Sequence, residues 1–348
     1  MPVLKAQEKR DAFVPPAEAS ATADSPKLPD ILNWHQLRKT ALIEPQMQID
    51  GLLHKGDKML LGGGSKSFKT WTLLDLGICI ATGREWLGRA CKPAKVLYIN
   101  FELKPFWIRH RINEIMKARK MDIADDSLQV WNLRSECYDW EVLQTAMEID
   151  EVRPDVLIVD PVYKTYGQAD ENSAGDVGGL LNRMEQFAKG CGDASLIFGH
   201  HFSKGNQAAK ESIDRVSGSG VWARDPDSLI IMTRHEEKDC FTVDCTLRNL
   251  PAPDPFVVRF DFPLFRVDGE LLPGKLHDQT KKSEVYGDEL FLAALTDEGI
   301  DERKWTTFMA EKVGCSERTA SMKKVALLKS GKIKIHGISS SAKLYKIK

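Results

Sequence analysis

Leu60-Leu61-Gly62-Gly63-Gly64-Ser65-Lys66-Ser67-Phe68-Lys69-Thr70 is the stretch on which the fold of this 348-residue chain turns. A short apolar run, Met59-Leu60-Leu61, precedes the glycines and reads as a buried strand. The residues that follow, Trp71 to Ala81, carry apolar positions that suit a packed helix. Strand, glycine-rich turn and Lys-Thr opening a helix is the context a phosphate-binding loop requires. Glycines let successive N–H groups curl around an anion, and the helix N-terminus adds positive dipole. The candidate nucleotide-binding residues are Gly63, Gly64, Ser65, Lys66, Ser67, Phe68, Lys69, Thr70 and Trp71. Lys69 is placed to reach the β- and γ-phosphates of ATP, and the Thr70 hydroxyl to hold Mg²⁺.

The pattern G-x-x-x-x-G-K-[ST], laid on Gly63 to Thr70, puts Phe68 where a second glycine normally stands. Phe68 is compatible with the loop if its φ is negative and its ring points away from the phosphates. A glycine-rich turn with a chance Lys-Thr is the competing reading, so the remainder of the chain has to arbitrate.

Three further apolar runs do so. Lys95 to Glu102, Asp155 to Pro161 and Ala194 to His201 each read as a strand buried on both faces. They end on Glu102, Asp160 and the pair His200-His201. Helical patterns separate them at Trp107 to Lys120, Trp140 to Glu151 and Val177 to Lys189, with another strand at Leu128 to Leu133. Alternating strands and helices argue a doubly wound α/β fold, in which ligands bind at the carboxyl ends of the strands. Asp160 then suits the Mg²⁺ shell, or else caps the turn before Pro161. Glu102 suits the base that orients and deprotonates water, or else is an exposed strand terminus. His201 suits a γ-phosphate sensor, while one of the two histidines reads as a satisfied core residue. Neither has a Cys or His partner at metal-binding spacing. Ser228 to Thr233, Phe241 to Leu247 and Phe256 to Phe262 follow without intervening helices and suggest antiparallel strands added late to the sheet.

Charge is balanced, with 49 Lys and Arg against 50 Asp and Glu, so any nucleic-acid surface has to be local. No apolar run approaches a bilayer span, the N-terminus lacks the apolar core of a secretory signal, and seven cysteines are scattered without a C-x-x-C pair. The expectation is a cytoplasmic protein with no membrane partner. Residues 1–40 read as a disordered N-terminal arm, 41–265 as the P-loop domain and 266–282 as a linker. Residues 283–348 read as three short helices and a hairpin, the outline of a winged helix-turn-helix. This tail is rich in lysine and arginine, with Ser316 as an N-cap and Arg318, Thr319 and Lys323 on the helix that would read duplex DNA.

The residues from Ile49 to Phe262 resemble the RecA-like P-loop ATPases, and within them the branch holding plasmid RepA-type hexameric replicative helicases and related AAA-family ATPases of mobile elements. The resemblance rests on I-D-G-L-L (Ile49 to Leu53), G-G-G-S-K-S-F-K-T (Gly62 to Thr70), V-L-Y-I-N-F-E (Val96 to Glu102), D-V-L-I-V-D-P (Asp155 to Pro161), G-H-H-F-S-K (Gly199 to Lys204) and S-G-S-G-V-W-A-R-D-P-D-S (Ser217 to Ser228). It implies a homo-oligomer, with a hexameric ring as the first candidate, in which ATP sits between subunits. It further implies an arginine from the neighbour that stabilises phosphoryl-transfer charge. Arg248 is the first candidate on the strand Val243 to Asn249, with Arg224 and Arg215 as alternates; the lysine usual two residues earlier is Thr246 here. Loops Tyr163 to Asp176 and Phe202 to Gly218 would face single-stranded DNA in a central channel. Two functions follow from the sequence: a DNA motor driven by ATP hydrolysis, and an ATP-dependent DNA-binding regulator or assembly switch with little unwinding. A small-molecule kinase is disfavoured because no lid or acceptor-binding carboxylate set is visible.

Overall fold

The computed structural model describes residues 30–278, 286–336 and 343–346, apart from 125, 137, 139, 150–151, 168, 204 and 296–298. The first 29 positions of the expected N-terminal arm, and Lys204 in the second channel loop, lie outside the described residues. The chain divides into two units, Met1–Glu44 and Pro45–Lys348. In the first, α1 (Trp34–Lys39) is closed by a capping box: Gln36 N–H donates to Asn33 Oδ1 (3.0 Å) and Asn33 N–H to Gln36 Oε1 (2.8 Å).

The second unit begins with a small antiparallel pair, β1 (Met47–Ile49) and β2 (Leu53–His54). A nine-stranded sheet follows, built in chain order from β3 (Lys58–Gly63), β4 (Val96–Asn100), β5 (Leu128–Asn132), β6 (Val156–Asp160), β7 (Ser195–His201), β8 (Ser228–Arg234), β9 (Cys240–Leu247), β10 (Phe256–Asp261) and β11 (Leu264–Asp268). Its spatial order is β11-β10-β9-β8-β3-β7-β6-β4-β5. Strands β8, β3, β7, β6, β4 and β5 are mutually parallel, and β9, β10 and β11 extend the β8 side antiparallel.

Helices α2 (Lys69–Thr82) and α3 (Pro105–Arg119) cover one face, α4 (Trp140–Ile149) and α5 (Ala174–Gly190) the other. The period of two sorts each strand between these layers. Met59 and Leu61 join the α2 core while Leu60 joins the α5 core; Tyr98 and Ile158 oppose Ile99 and Val159 in the same way. Being buried on both faces, the central strands need no polar alternation, which is why they read as unbroken apolar runs.

Three expectations change. Trp34–Lys39, inside the arm expected to be disordered, is helix α1, because the Asn33–Gln36 capping box satisfies its first N–H groups. Ser228–Arg234 is not one of the antiparallel additions: after β7 the chain returns through 3₁₀ turns and the short helix α6 (Val221–Arg224), so β8 runs parallel to β3. Residues 266–268, expected in the linker, end strand β11, which pairs with β10 from Val257↔Asp268 to Asp261↔Leu264. Part of the remaining segment also adheres to the sheet. Glu236 N–H donates to Lys275 O, and His277 N–H to Arg234 O.

Toward the C-terminus, α7 (Asp288–Ala294), α8 (Trp305–Val313) and α9 (Glu317–Lys329) precede β13 (Ile333–His336) and β14 (Lys343–Lys346). The two-residue β12 (Ile300–Asp301) completes a three-stranded sheet in the order β12-β14-β13. Ser316 caps α9 by accepting from Thr319 N–H at 3.1 Å. Phe291, Trp305, Met309, Leu327 and Leu344 form a separate core. Among the described residues no helix is long and apolar enough to cross a membrane.

Candidate active site

The loop between β3 and α2 holds its shape through its own atoms. Lys69 Nζ donates to the carbonyls of Gly63 (2.8 Å) and Gly64 (3.0 Å). Burial pushes the ammonium below its usual pKa, against the pull of Asp160 and Glu102. Gly63 is required by space: a Cβ there would lie 2.6 Å from Ser67 Oγ and 3.2 Å from Lys69 Cγ. Arg234, at the end of β8, pins the outside of the loop by donating to Lys66 O at 2.9 Å.

Phe68 takes φ +61° and ψ 22° as N-cap of α2, so the expectation of a negative φ is overturned. The left-handed conformation is what the motif's glycine serves, and an L-residue adopts it at a cost of about 1–2 kcal/mol. The ring does point away from the loop interior. It stacks on Phe260 at 4.0 Å and meets Phe241 and Phe265 edge-on at 6.1 and 6.2 Å. Late strands β9 to β11 thus supply an aromatic seat that offsets the strain. Phe68→Ala should lose the seat and keep most of the strain, whereas Phe68→Gly should lose the seat and relieve the strain. In urea unfolding the glycine variant is expected to be about 1 kcal/mol more stable than the alanine variant, and both less stable than the parent.

Asp160 ends β6 at 2 % exposure, with Oδ2 accepting from Tyr98 OH at 2.7 Å. Burial raises its pKa; hydrogen bonds from Tyr98 and Thr70 and the charges of Lys69 and Arg111 oppose that rise. Gly199 on β7 leaves room for the carboxylate, since a Cβ there would stand 3.1 Å from Asp160 Oδ1.

Glu102 is exposed, two residues past the end of β4. Its position is set by Asn100, which is fully buried. Asn100 Oδ1 accepts from the N–H groups of Glu102 (3.2 Å) and Leu103 (2.9 Å), and its amide donates to Leu103 O (2.6 Å) and Asn132 Oδ1 (3.0 Å). That network turns the chain at the strand end and aims Glu102 along the rim.

The histidines separate. His200 is the core residue: it contacts Tyr166 OH through Nε2 (2.9 Å) and His201 O through Nδ1 (2.8 Å), and burial lowers its pKa to about 3. His201 is half-buried and faces the rim, edge-to-face with Tyr163 at 5.6 Å and 4.0 Å from Glu171. Burial lowers its pKa as well.

Lys69, Thr70, Glu102, Asp160 and His201 line one cavity of about 740 Å³ at the carboxyl ends of β3, β4, β6 and β7. Ser65, Lys66, Ser67, Phe68 and Trp71 line it too. Sequence reasoning missed Arg111, which enters from α3 with its guanidinium 4.8 Å above the Trp71 ring. It missed Tyr98 and Asn100 as well. Each acts across the sheet register, Asn100 opposite Asp160 and Asn132, which linear spacing does not display.

Arg248 is not brought to this cavity. It follows β9 at the other end of the sheet, donating to Arg224 O (2.6 Å) and Asp225 O (3.0 Å). Arg215, an alternate for the same role, is buried among Thr233, Asp244 and the Gln207 and Lys210 carbonyls, so it is a structural cation. Arg224 is exposed.

The site fits a nucleoside triphosphate and Mg²⁺. Ser67 Oγ is buried inside the loop with no hydrogen-bond partner, Lys69 is desolvated, and the first N–H groups of α2 have no intrahelical acceptor. Thr70 and Asp160 offer the hard oxygens that Mg²⁺ takes alongside phosphates and water. Among the described residues no group of three or more His, Cys, Asp or Glu forms a metal cage of its own.

A glycine-rich loop opening a helix, on a parallel sheet with a carboxylate at the end of the strand two places away, defines a P-loop nucleotide-binding α/β protein. The chain belongs to the AAA domain family (AAA_25), which matches residues 22–207. Membership makes this an ATPase-type domain, a family that implies nucleotide binding, typically with Mg²⁺. No curated protein matches the chain. Solved structures that match include a KaiC-like protein from the hyperthermophilic archaeon Pyrococcus horikoshii OT3. That match has 11% identity over 64% of this chain and 93% of that one, with a TM-score of 0.45.

Proposed function

We propose that this chain is an ATP-hydrolysing DNA motor, a RepA-type replicative helicase or translocase of a plasmid, phage or integrated element. The observation that carries the hydrolytic part is the meeting of Lys69, Thr70, Glu102, Asp160 and His201 on one cavity. In the reaction, a water oxygen forms a bond to the γ-phosphorus and the bond to the β,γ-bridging oxygen breaks, leaving ADP and phosphate. Lys69 and the N-terminal amides of α2 hold the phosphate oxygens. Glu102 orients the water and takes its proton. Mg²⁺, held by Thr70 and Asp160, would supply charge neutralisation between phosphate oxygens. His201 joins the phosphate rim to the following loop, where Ser203 N–H donates to Arg215 O and Asn206 Nδ2 to Asp278 Oδ1 (2.7 Å). His201 O itself accepts from Ser217 N–H at 3.1 Å, so loss of the γ-phosphate at the His201 ring would be felt where Ser217 closes that loop. Arg248 acts in this reading from a neighbouring subunit, after releasing the carbonyls it holds here.

The motor part rests on the resemblance of Ile49 to Phe262 and on the C-terminal elements. Three helices followed by a hairpin support a winged helix-turn-helix, in which α9 would read duplex DNA. Lys323 and Lys332 are spent on Asp288, and Lys324 on Glu302, so Arg318, Ser321 and Lys329 remain for a phosphate or base. Those internal pairs, with Asp170, Glu171 and Asp176 in the first channel loop, favour the second reading: an ATP-dependent DNA-binding switch with little unwinding.

The test is ATP turnover with and without single-stranded DNA, together with mass in solution under ATP and Mg²⁺. A motor should assemble into a multiple of the 39.1 kDa chain and raise turnover several-fold on DNA. Assembly and DNA binding with unstimulated turnover and no strand displacement would select the switch. A monomer indifferent to DNA would remove both.

A further inference from the structure

The outward face of α3 carries chemistry that the nucleotide pocket does not use. Residues 104–120 hold Lys104, Arg109, Arg111, Lys117, Arg119 and Lys120 against one acid, Glu114, in a chain whose charges otherwise balance. The helix sorts them by angle. Ile108 and Ile115 are buried, Arg111 turns to Trp71, and Arg119 pairs with Asp75. At about 100° per residue, Phe106, Arg109, His110, Asn113, Lys117 and Lys120 fall on a single stripe. All are exposed except half-buried His110, and no carboxylate lies among them. Among the described residues, Lys104, Arg109, Lys117 and Lys120 have no ion-pair partner.

At the N-terminal end of the stripe Phe106 stands 57% exposed, and beside it, on the flank that also carries Glu114, Trp107 stands 50% exposed. They are held by one another rather than by a core. The two rings meet edge-on at 5.1 Å, His110 stacks parallel to Phe106 at 6.3 Å, and the Arg109 guanidinium sits 5.9 Å over Phe106. Beyond the other end of α3 lies an open cavity of about 1040 Å³, with Arg84, Lys120 and Arg266 on its wall beside one acid, Glu85; Arg266 is paired with Asp261 at 3.3 Å, which leaves Arg84 and Lys120 as the cations offered there.

We infer that this face is a track for single-stranded nucleic acid. Bases stack on Phe106 and Trp107, and the phosphates run over Arg109, Lys117 and Lys120 toward the Arg84 cavity. Fixed rings interleaved with cations are the chemistry of sequence-tolerant single-strand binding. Ring faces accept only bases freed from a duplex. At about 22 Å, the length of α3 suits a few nucleotides. A second copy of this chain is a poor occupant, because a self-complementary contact would set cation against cation. The track rests on the nucleic-acid reading given above and adds to it a surface distinct from the two channel loops and the C-terminal helices.

The test uses the full chain and fluorescein-labelled dT20, rU20 and a 20-base-pair duplex in anisotropy titrations, with a fluorescent ATP analogue as a separate readout. The pair Phe106→Ala and Trp107→Ala should weaken both single strands about tenfold and leave the salt slope in place. The pair Lys117→Gln and Lys120→Gln should weaken them and lower the slope of log Kobs against log salt by about 1.4. Both variants should bind the ATP analogue as the parent does, since neither touches the pocket. The dT20 and rU20 arms tell DNA from RNA. Parent-like dT20 affinity in both variants overturns the track while leaving the DNA reading in place, whereas a parent that binds neither strand at low salt overturns both. Equal losses on the duplex overturn the stacking role. Loss of self-association, measured by sedimentation, with unchanged strand affinity reassigns the face to a protein contact and overturns the track.

Discussion

Lys69→Ala is expected to lower ATP affinity by roughly 10²- to 10⁴-fold while leaving the nucleotide-free fold intact. The ammonium closes the loop from inside, bonded to the carbonyls of Gly63 and Gly64. On binding it exchanges those neutral acceptors for phosphate oxygens. Two charge-assisted hydrogen bonds at about 1.5–3 kcal/mol each give about 3–6 kcal/mol, which is that range of affinity. Stability should move little, within about 1 kcal/mol, because two opposing changes nearly cancel. The substitution leaves two carbonyls short of a donor, and it removes a cation that burial already disfavours. Calorimetric titration with ATP and Mg²⁺, paired with urea unfolding of the nucleotide-free protein, measures both. Unchanged ATP affinity would remove the P-loop assignment and with it every role built on that cavity.

The parts of this site that could be read along the chain are those in which function and local pattern coincide. Lys69 and Thr70 sit in a motif whose spacing is local, and Glu102, Asp160 and His201 follow apolar runs that only a two-faced buried sheet produces. Their placement on one rim follows from parallel strands presenting the same end. What stayed hidden acts laterally. Tyr98 reaches Asp160 from the neighbouring strand, Asn100 bridges β4 to β5, and Arg111 arrives from the next helix. None of these partnerships has a sequence spacing of its own.

Phe68 departs from expectation for a different reason. From the pattern alone, Phe68 fits the loop only with a negative φ and its ring turned away from the phosphates. The loop instead needs the left-handed backbone at that position, and the φ of +61° is tolerated because Phe260, Phe241 and Phe265 surround the ring. Those partners come from strands far along the chain, β9 to β11. In the fold at large, β1 and β2 escaped notice because two or three residues carry no periodicity. Strand β11 escaped because Arg266 and Asp268 on an edge strand read as linker polarity. The sheet gives them that polarity: Arg266 faces Arg259 across the pair, and Asp268 takes the Arg259 guanidinium at 2.9 Å.

Glu102→Gln should separate binding from chemistry. The side chain contributes no hydrogen bond to the loop, and Asn100 positions it through the backbone N–H groups of Glu102 and Leu103. An isosteric amide can keep that turn, so ATP affinity is expected to stay within about threefold of the parent. Charge repulsion between a carboxylate and the triphosphate is lost, which favours slightly tighter binding. Turnover should fall about 10²- to 10⁴-fold, the usual contribution of a positioned general base, because an amide oxygen does not take the proton of the attacking water. Asn100→Ala gives the complementary case. Glu102 keeps its charge but loses its fixed aim, so kcat should fall by a smaller factor, about tenfold, with ATP affinity unchanged. Single-turnover measurements of both variants under saturating ATP and Mg²⁺ read these effects directly. If Glu102→Gln turned over like the parent, the base would have to be sought elsewhere on the same rim, and Asp160 is a poor substitute. It is buried, holds the Tyr98 hydroxyl and is bound to the metal shell in this reading, so neither of its oxygens is placed to receive a proton from water.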